Sequence, residues 1–146
     1  MCIRDRAYTT RVGEGPFPTE LHDESGSLLA KKGNEFGATT GRPRRCGWLD
    51  LVLLKKAIFI NSVTDLCITK LDVLDEMQEI KVCIRHDNGV PVYKTFEGWL
   101  SKTQGITVFS DLPDKARIYI KFIEEFVESN ASIISTGPSR NQTIIR

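Results

Sequence analysis

Two short apolar stretches that run directly into polar loops constrain the fold of this chain most. Residues 67–72 read C-I-T-K-L-D, and residues 133–138 read I-I-S-T-G-P. The apolar half of each stretch predicts a buried strand, and the polar half then lies at the carboxyl end of that strand. In α/β sheets, ligands bind at the carboxyl ends of the strands. The two stretches therefore predict a sheet with a binding site along one edge.

Helical patterns separate the apolar stretches. Helices are predicted over residues 19–33, 48–61 and 112–128, with Thr19 and Asp111 as caps of the first and third. The second is apolar nearly all round, which predicts a largely buried helix. Alternation predicts strands over 79–85 and 90–93, joined by the turn Asp87-Asn88-Gly89. Strands separated by helices indicate an α/β layer architecture.

Composition excludes several classes of protein. The 146 residues suffice for one domain, and the net charge of +1 gives no general reason to expect nucleic acid or an anionic membrane as partner. No apolar run approaches the roughly 18 residues that a membrane helix needs. The first residues show no signal-peptide pattern, so we expect a cytoplasmic protein. The cysteines form no C-x-x-C pair and are interpreted as having no local histidine partner, which predicts free thiols and no zinc site, and the missing signal argues against a disulfide framework.

The loop Thr69-Lys70-Leu71-Asp72 has chemistry suited to guanine. The Asp72 carboxylate can accept hydrogen bonds from the N1–H and amino group of guanine, a donor pair that adenine lacks. The stem of Lys70 can cover the base while its ammonium stays in water. In 135–137, backbone N–H groups could meet the guanine O6, with Gly137 leaving room for the base. Taken alone, the tetrapeptide is a weak signal, and an ordinary turn at a strand end is the competing interpretation.

Residues 39–45, T-T-G-R-P-R-R, form the third candidate element. The arginines at 42, 44 and 45 are held by Gly41 and Pro43, which makes a stiff loop that presents guanidinium groups to carboxylates or phosphates. A solvated basic surface loop is the competing interpretation. No Walker A motif occurs in the sequence, so a self-contained GTPase is excluded.

Four ordered motifs together resemble the adenylosuccinate synthetase family. They are TRVGEGPFPTEL at 10–21, GNEFGATTGRPRRCGW at 33–48, LCITKLDVLD at 66–75 and IISTGPSRNQTII at 133–145. The resemblance covers the chain from Ala7 onward. It implies the C-terminal part of a P-loop-NTPase-like mixed sheet flanked by helices, and a homodimer as the working form.

The resemblance also implies an activity and its residues. The family joins IMP to L-aspartate through a 6-phosphoryl intermediate, at the expense of GTP and with the help of Mg²⁺. Residues 38–44 match the family's aspartate-binding loop, where Arg42 also meets IMP and Arg44 reaches GTP. The implied substrate residues are Val12, Gly13, Ala38, Thr39, Thr40, Gly41, Arg42, Pro43 and Arg44. The implied GTP residues are Arg44, Lys70, Leu71, Asp72, Ser135, Thr136 and Gly137.

Departures from the family pattern limit what these residues can do. The phosphate loop, the catalytic aspartate and histidine, and the Mg²⁺ ligands of the family have no counterpart here, so we expect no catalytic residue and no metal ligand in this chain. Residues 1–6 do not resemble the family and are interpreted as a non-native leader before the family portion at 7–146. The connection between 85 and 99 is shorter than in many members. A non-catalytic guanine-nucleotide or anion-binding module, or an unfolded remnant, remains the alternative.

Overall fold

A computed structural model describes residues 2–37, 39 and 41–146. These residues form three α-helices and nine β-strands. The helices are α1 (Glu24–Lys32), α2 (Leu51–Ile60) and α3 (Asp114–Val127). The strands are β1 (Cys2–Arg6), β2 (Thr9–Arg11), β3 (Arg45–Gly47), β4 (Leu49–Asp50), β5 (Asp65–Thr69), β6 (Glu79–Asp87), β7 (Val90–Glu97), β8 (Asn130–Ser135) and β9 (Thr143–Ile145).

The largest sheet has the strand order β1-β5-β8-β9. Its first three strands are parallel, and β9 runs antiparallel to β8. A second sheet, β4-β6-β7, pairs β4 parallel to β6 and β6 antiparallel to β7, while β2 and β3 form a small antiparallel ribbon. The mixed sheets flanked by helices match the expected α/β class.

Helix α3 lies at the centre of the hydrophobic core. Its apolar residues recur at helical spacing, and Tyr119, Ile120 and Ile123 are fully buried. The helix contacts α2, β7 and β8. The Tyr119 hydroxyl donates a hydrogen bond of 2.8 Å to the Ala7 carbonyl, which ties the helix to the segment after β1. In the described part of the chain, no helix is long and apolar enough to cross a membrane.

Both predicted helix caps are wrong. Helix α1 begins at Glu24, where the Asp23 side chain accepts a hydrogen bond from the Gly26 amide. Thr19 is instead buried beside the β3 ribbon, and its carbonyl accepts from the Trp48 amide. Helix α3 begins after Pro113, and Asp111 ends a short 3₁₀ turn. A polar residue followed by an apolar period is compatible with several starts, and tertiary contacts select one of them.

Helix α2 also differs from its prediction. It starts three residues later, because Trp48 to Asp50 continue into strand β4 and the Asp50 side chain caps the helix through the Leu53 amide. It is less buried than predicted: Phe59 is 85% exposed, and Leu53 and Ile60 are exposed as well. The apolar residues are thus spread around the helix, while the core covers only one side of it.

Several strands lie where no strand was predicted. Residues 2–6 form an edge strand parallel to β5, β3 begins at the last residue of the predicted arginine loop, and β2 and β9 lie where no strand was predicted. The predicted turn after β6 is confirmed, since Asn88 and Gly89 both have positive φ, as a tight hairpin requires. These short strands depend on pairing with distant segments, which local periodicity does not show.

Candidate functional site

The two polar loops that follow β5 and β8 lie side by side. Because these strands pair in parallel, with Ile68 opposite Ile134, both loops leave the same edge of the sheet. Between them is a cavity of about 620 Å³. Its lining includes the predicted guanine residues Lys70, Asp72, Ser135 and Gly137. We call this space the strand-end cavity. The predicted meeting of the two loops is therefore confirmed.

Lys70 has a strained backbone conformation, and its ammonium is hydrogen-bonded to protein groups. It has a φ of 61°, in the left-handed region, at the start of the 3₁₀ turn Leu71–Leu74. Its ammonium donates hydrogen bonds to the Gly33 carbonyl at 2.5 Å and to Glu35 Oε1 at 2.8 Å. The expectation that this ammonium stays in water is wrong, because a buried carboxylate lies within its reach. The stem of Lys70 remains on the cavity wall.

Asp72 offers the only carboxylate in the described lining of the strand-end cavity. Burial raises the pKa of Asp72, and the nearby charge of Asp75 raises it further, while Lys70 lowers it. A partly buried carboxylate of this kind is suited to a ligand that brings two N–H donors. Leu71, predicted beside it, is fully buried in the core, so its side chain is not available to a ligand.

The loop after β8 is held by internal hydrogen bonds. The Thr136 amide donates to the Gln142 carbonyl at 3.0 Å, so this amide does not point at the cavity as predicted. The Thr136 hydroxyl is also satisfied internally, by the Ile106 carbonyl at 2.8 Å, and the side chain is fully buried. A Cβ at Gly137 would meet the end of the Gln142 side chain, which would have to move. Ser135 and Gly137 still face the cavity.

The strand-end cavity also carries positive charge that the sequence interpretation missed. Arg4 from β1, Lys32 from the end of α1 and Arg140 from the loop before β9 line the same space. These residues are far apart in sequence, and only the strand order β1-β5-β8 brings them together. Cations around a cavity with a guanine-compatible carboxylate favour an anionic ligand such as a nucleotide.

A second cavity, of about 580 Å³, lies at the arginine loop. It brings Val12 and Gly13 together with the arginine loop, as the resemblance implied. Gly41 is exposed and does not line this cavity, and Ala38 and Thr40 lie outside the described residues. The lining residues are Arg11, Val12, Gly13, Gly37, Thr39, Arg42, Pro43, Arg44 and Arg45. We call this space the arginine-loop cavity.

Arg44 and Arg45 of this loop are bonded to glutamate side chains. Arg44 Nη1 donates to Glu35 Oε2 at 2.9 Å. Arg45 donates to both carboxylate oxygens of Glu20, and its Nη1 also donates to the Gly13 and Gly15 carbonyls. Arg45 thus fixes the 13–15 turn beside the loop. The partners of Arg45 indicate a structural role. The resemblance assigns Arg42 and Arg44, and not Arg45, to substrates.

Glu35 connects the two cavities. This side chain is 0% exposed. Oε1 accepts hydrogen bonds from the Lys70 ammonium and, at 2.6 Å, from the Tyr8 hydroxyl, while Oε2 accepts from Arg44. Arg6 Nε lies 3.0 Å from Oε1 as a further ion pair. One carboxylate therefore anchors the predicted guanine lysine and the predicted loop arginine at once.

The electrostatics of Glu35 follow from these partners. Burial alone would raise the pKa of this carboxyl, but the hydrogen bonds that it accepts, that from Lys70 foremost, lower it to about 2. Gly33 makes the arrangement possible, since a Cβ there would collide with the Tyr8 hydroxyl. The sequence interpretation missed Glu35. The available signal was an acidic residue a few positions before three arginines.

Comparisons with known proteins show the family to which the chain belongs. The family model for adenylosuccinate synthetase matches residues 5–144 of the chain. The chain belongs to the adenylosuccinate synthetase family. The adenylosuccinate synthetase of Pseudomonas entomophila is 51% identical over 157 aligned residues, which cover 96% of this chain and 36% of that protein. The protein of Pseudomonas syringae pv. tomato is 52% identical with the same coverage.

A solved structure of the same family has the same fold. The fully ligated adenylosuccinate synthetase from Plasmodium falciparum superposes with a TM-score of 0.92 at 38% identity, covering 97% of this chain and 38% of that one. The expected fold, the C-terminal part of a P-loop-NTPase-like mixed sheet, is confirmed by this likeness. The chain spans little more than a third of the length of these relatives.

The Mg²⁺ that the family implies has no suitable set of ligands among the described residues. Mg²⁺ prefers six oxygen ligands in octahedral geometry. The described residues form one group that could hold a metal ion, Asp50, Cys83 and His86, and it includes a thiol and an imidazole. Asp72 contributes a single carboxylate to the strand-end cavity. We therefore derive no step of the chemistry through Mg²⁺ on this chain.

Proposed function

We propose that this chain is the nucleotide- and substrate-recognition portion of a ligase that joins IMP and L-aspartate to form adenylosuccinate, with hydrolysis of GTP to GDP and phosphate. The observation that carries the proposal is the strand-end cavity. There a partly buried carboxylate at Asp72, a lysine stem and the loop after β8 meet cations from β1 and α1. A guanine nucleotide carries N–H donors for the Asp72 carboxylate and phosphates for the cations.

The roles of individual residues form part of the proposal. Asp72 accepts from guanine N1–H and the amino group, the Lys70 stem covers one face of the base, and Leu71 supports the loop from the core. Ser135 and Gly137 form the opposite wall of the cavity, with Thr136 holding their turn in place. Adenine would leave the Asp72 carboxylate without its donors, at a cost of roughly 1–3 kcal/mol.

The arginine-loop cavity takes the substrates in this proposal. Val12 and Gly13 lie against the IMP ribose, and Arg42 and Arg44 bind carboxylate or phosphate oxygens, with Arg44 also reaching GTP. The remaining loop residues, Ala38, Thr39, Thr40, Gly41 and Pro43, shape the grip on the aspartate carboxylates. Because Glu35 holds Arg44 from behind, the guanidinium is oriented before a ligand arrives.

Chemistry requires residues that the family supplies elsewhere. Activation of the IMP oxygen and Mg²⁺-assisted phosphoryl transfer need a general base, a phosphate loop and Mg²⁺ ligands, which the resemblance assigns to a part of the family enzyme that this chain does not match. We therefore propose that turnover, homodimer formation and a cytoplasmic location belong to the whole family enzyme. We expect no adenylosuccinate synthesis by this chain alone. Measurable product in a coupled assay of the purified chain would refute the proposal that turnover belongs to the whole enzyme.

A calorimetric titration tests the recognition proposal. We expect GTP and GDP to bind the chain more tightly than ATP. Asp72→Asn should reduce the ratio of the GTP and ATP affinities at least about tenfold, which corresponds to about 1.4 kcal/mol of binding free energy. Asp87→Asn is the matched control, because Asp87 is exposed at the far end of β6. Equal affinity for GTP and ATP in a folded sample would contradict the assignment. Guanine binding by a chain without turnover also describes the second candidate, a free-standing nucleotide-binding module.

The domain assignment is proposed separately. Residues 7–146 are taken as the family portion and residues 1–6 as a leader of other origin, although residues 2–6 pair with β5 and the family model begins at residue 5. The nucleotide sequence upstream of the Ala7 codon distinguishes a leader of other origin from a continuous family sequence. An open frame that encodes a phosphate loop would replace the leader interpretation.

A further inference from the structure

Asp50, Cys83 and His86 form a compact cluster away from both cavities described above. Their ligand atoms all lie within 4.8 Å of one another, and His86 Nε2 is 2.8 Å from Asp50 Oδ2. Asp50 and Cys83 are buried, and His86 is partly exposed. None of the three lines the strand-end or the arginine-loop cavity. The nucleotide-binding proposal leaves the cluster unexplained.

The strands place these side chains together through two specific features. Strand β4 pairs in parallel with β6 so that Asp50 lies directly opposite Cys83. Cys83 and His86 are three residues apart, which would put them on opposite faces of a regular strand. The register of β6 against β7 shifts between Cys83 and Arg85, and this bulge returns His86 to the face of Cys83. Bulges often re-aim a side chain beside a functional site.

We propose that Asp50, Cys83 and His86 form a zinc-binding site with three protein ligands. Thiolate, imidazole and carboxylate are the donor types that Zn²⁺ takes in proteins, and three protein ligands leave a fourth position for water. The octahedral, all-oxygen preference of Mg²⁺ does not fit this set. The prediction of no zinc site assumed that no cysteine has a local histidine partner, but His86 lies three residues after Cys83 on strand β6. The Asp50 carboxylate comes from the neighbouring strand β4.

The geometry needs only side-chain adjustment to accept the ion. Tetrahedral Zn²⁺ with these donors places its ligand atoms about 3.3–3.5 Å apart. The Asp50–His86 pair must therefore open slightly, and the Cys83 sulfur must turn from the Arg85 carbonyl, to which its thiol now donates at 3.3 Å. Asp50 Oδ1 stays bonded to the Leu53 amide at 3.1 Å, which orients Oδ2 toward the ion.

Charge also balances at this site. The buried Asp50 carboxylate and the neighbouring apolar surroundings disfavour a bare thiolate, and the pKa of Cys83 is raised by burial first and by Asp50 second. On binding, the Cys83 S–H bond breaks, the S–Zn bond forms and the proton passes to buffer. One carboxylate and one thiolate then neutralise the two charges of the ion. The nearest cation in sequence, Arg85, is paired with Asp87 at 2.8 Å.

The test uses the purified chain, stripped of metal, with Zn²⁺ and Co²⁺ as probes. We expect one Zn²⁺ per chain in competition with a chromophoric chelator, and a raised unfolding temperature when the ion is present. Co²⁺ should give the visible bands of a tetrahedral site together with a thiolate-to-cobalt charge-transfer band. Cys83→Ser should remove the charge-transfer band, and His86→Gln should weaken Zn²⁺ binding by at least about tenfold.

Two controls separate this site from other thiols. The double variant Cys2→Ser and Cys67→Ser removes the thiols of the β1–β5 pair and should leave binding unchanged, as should His22→Gln on the exposed loop before α1. His86 is partly exposed and its replacement keeps the strand pairing, so its variant should stay folded. A folded chain without Zn²⁺ binding, an unchanged unfolding temperature, or a charge-transfer band that survives Cys83→Ser would each overturn the proposal.

Discussion

At the scale of single residues, Glu35 is the group on which the candidate site most depends. Its folded pKa of about 2 lies below the ordinary value of 4.5. A carboxyl with a depressed folded pKa stabilises the protein fully above its unfolded pKa, and loses that contribution as the pH falls from about 4.5 toward 2. Glu35→Gln should therefore lower the free energy of unfolding by about 3 kcal/mol at neutral pH, because it leaves three partly buried cations without their carboxylate.

Urea unfolding of both chains at a series of pH values measures this effect. The difference between wild type and Glu35→Gln should be largest near neutral pH and shrink as the pH approaches about 2. Glu24→Gln, at an exposed carboxylate in the first turn of α1, should change stability little at any pH. A Glu35 difference that does not vary with pH would mean that its contribution is one of shape and not of charge.

The contrast between Lys70 and Glu35 shows what can be predicted at this scale. The place of Lys70 in the cavity wall followed from a strand running into a polar loop, which is a local pattern. The partner of its ammonium could not be predicted from that pattern, because Glu35 lies 35 residues away in the sequence and only the fold brings it to Lys70. Side-chain identity indicates the type of ligand, and only the fold decides which protein groups compete for it.

At the scale of elements, the connection between β7 and α3 is held by one carboxylate. Asp75 accepts hydrogen bonds from Trp99 Nε1, the Thr103 amide and the Thr103 hydroxyl, each at 2.7 Å. Asp75→Ala should lower the free energy of unfolding by about 2–4 kcal/mol, since it leaves these donors without their acceptor. Glu76→Ala removes only a surface ion pair with Lys32 and should cost under about 1 kcal/mol.

Urea midpoints for the two neighbouring variants provide the comparison. Because they are adjacent in sequence and differ mainly in burial, a similar loss for both would contradict the role given to Asp75.

Elements whose partners are near in sequence, such as the β6–β7 hairpin, were predicted well. Strands β1 and β9 were not, since each is short and forms only by pairing with β5 or β8.

At the scale of the whole molecule, the chain folds around its own core and still exposes apolar surface. The sequence pattern from Trp48 onward predicted a largely buried helix. Trp48 is only 6% exposed, whereas Phe59 on that helix is 85% exposed beside a groove that Val52, Ile84 and Phe126 line. Single exposed apolar residues are ordinary, but a groove with an exposed phenylalanine at its rim favours association.

We therefore expect the isolated chain to self-associate as its concentration rises, through the surface around Phe59. Phe59→Ser should reduce association while leaving the unfolding midpoint nearly unchanged, because this side chain buries little area in the monomer. Val90→Ser is the matched control, since Val90 is also exposed but lies at the β6–β7 turn. Sedimentation velocity at several concentrations measures both. A monomer at all concentrations, or equal effects of the two variants, would show that the Phe59 surface does not drive association.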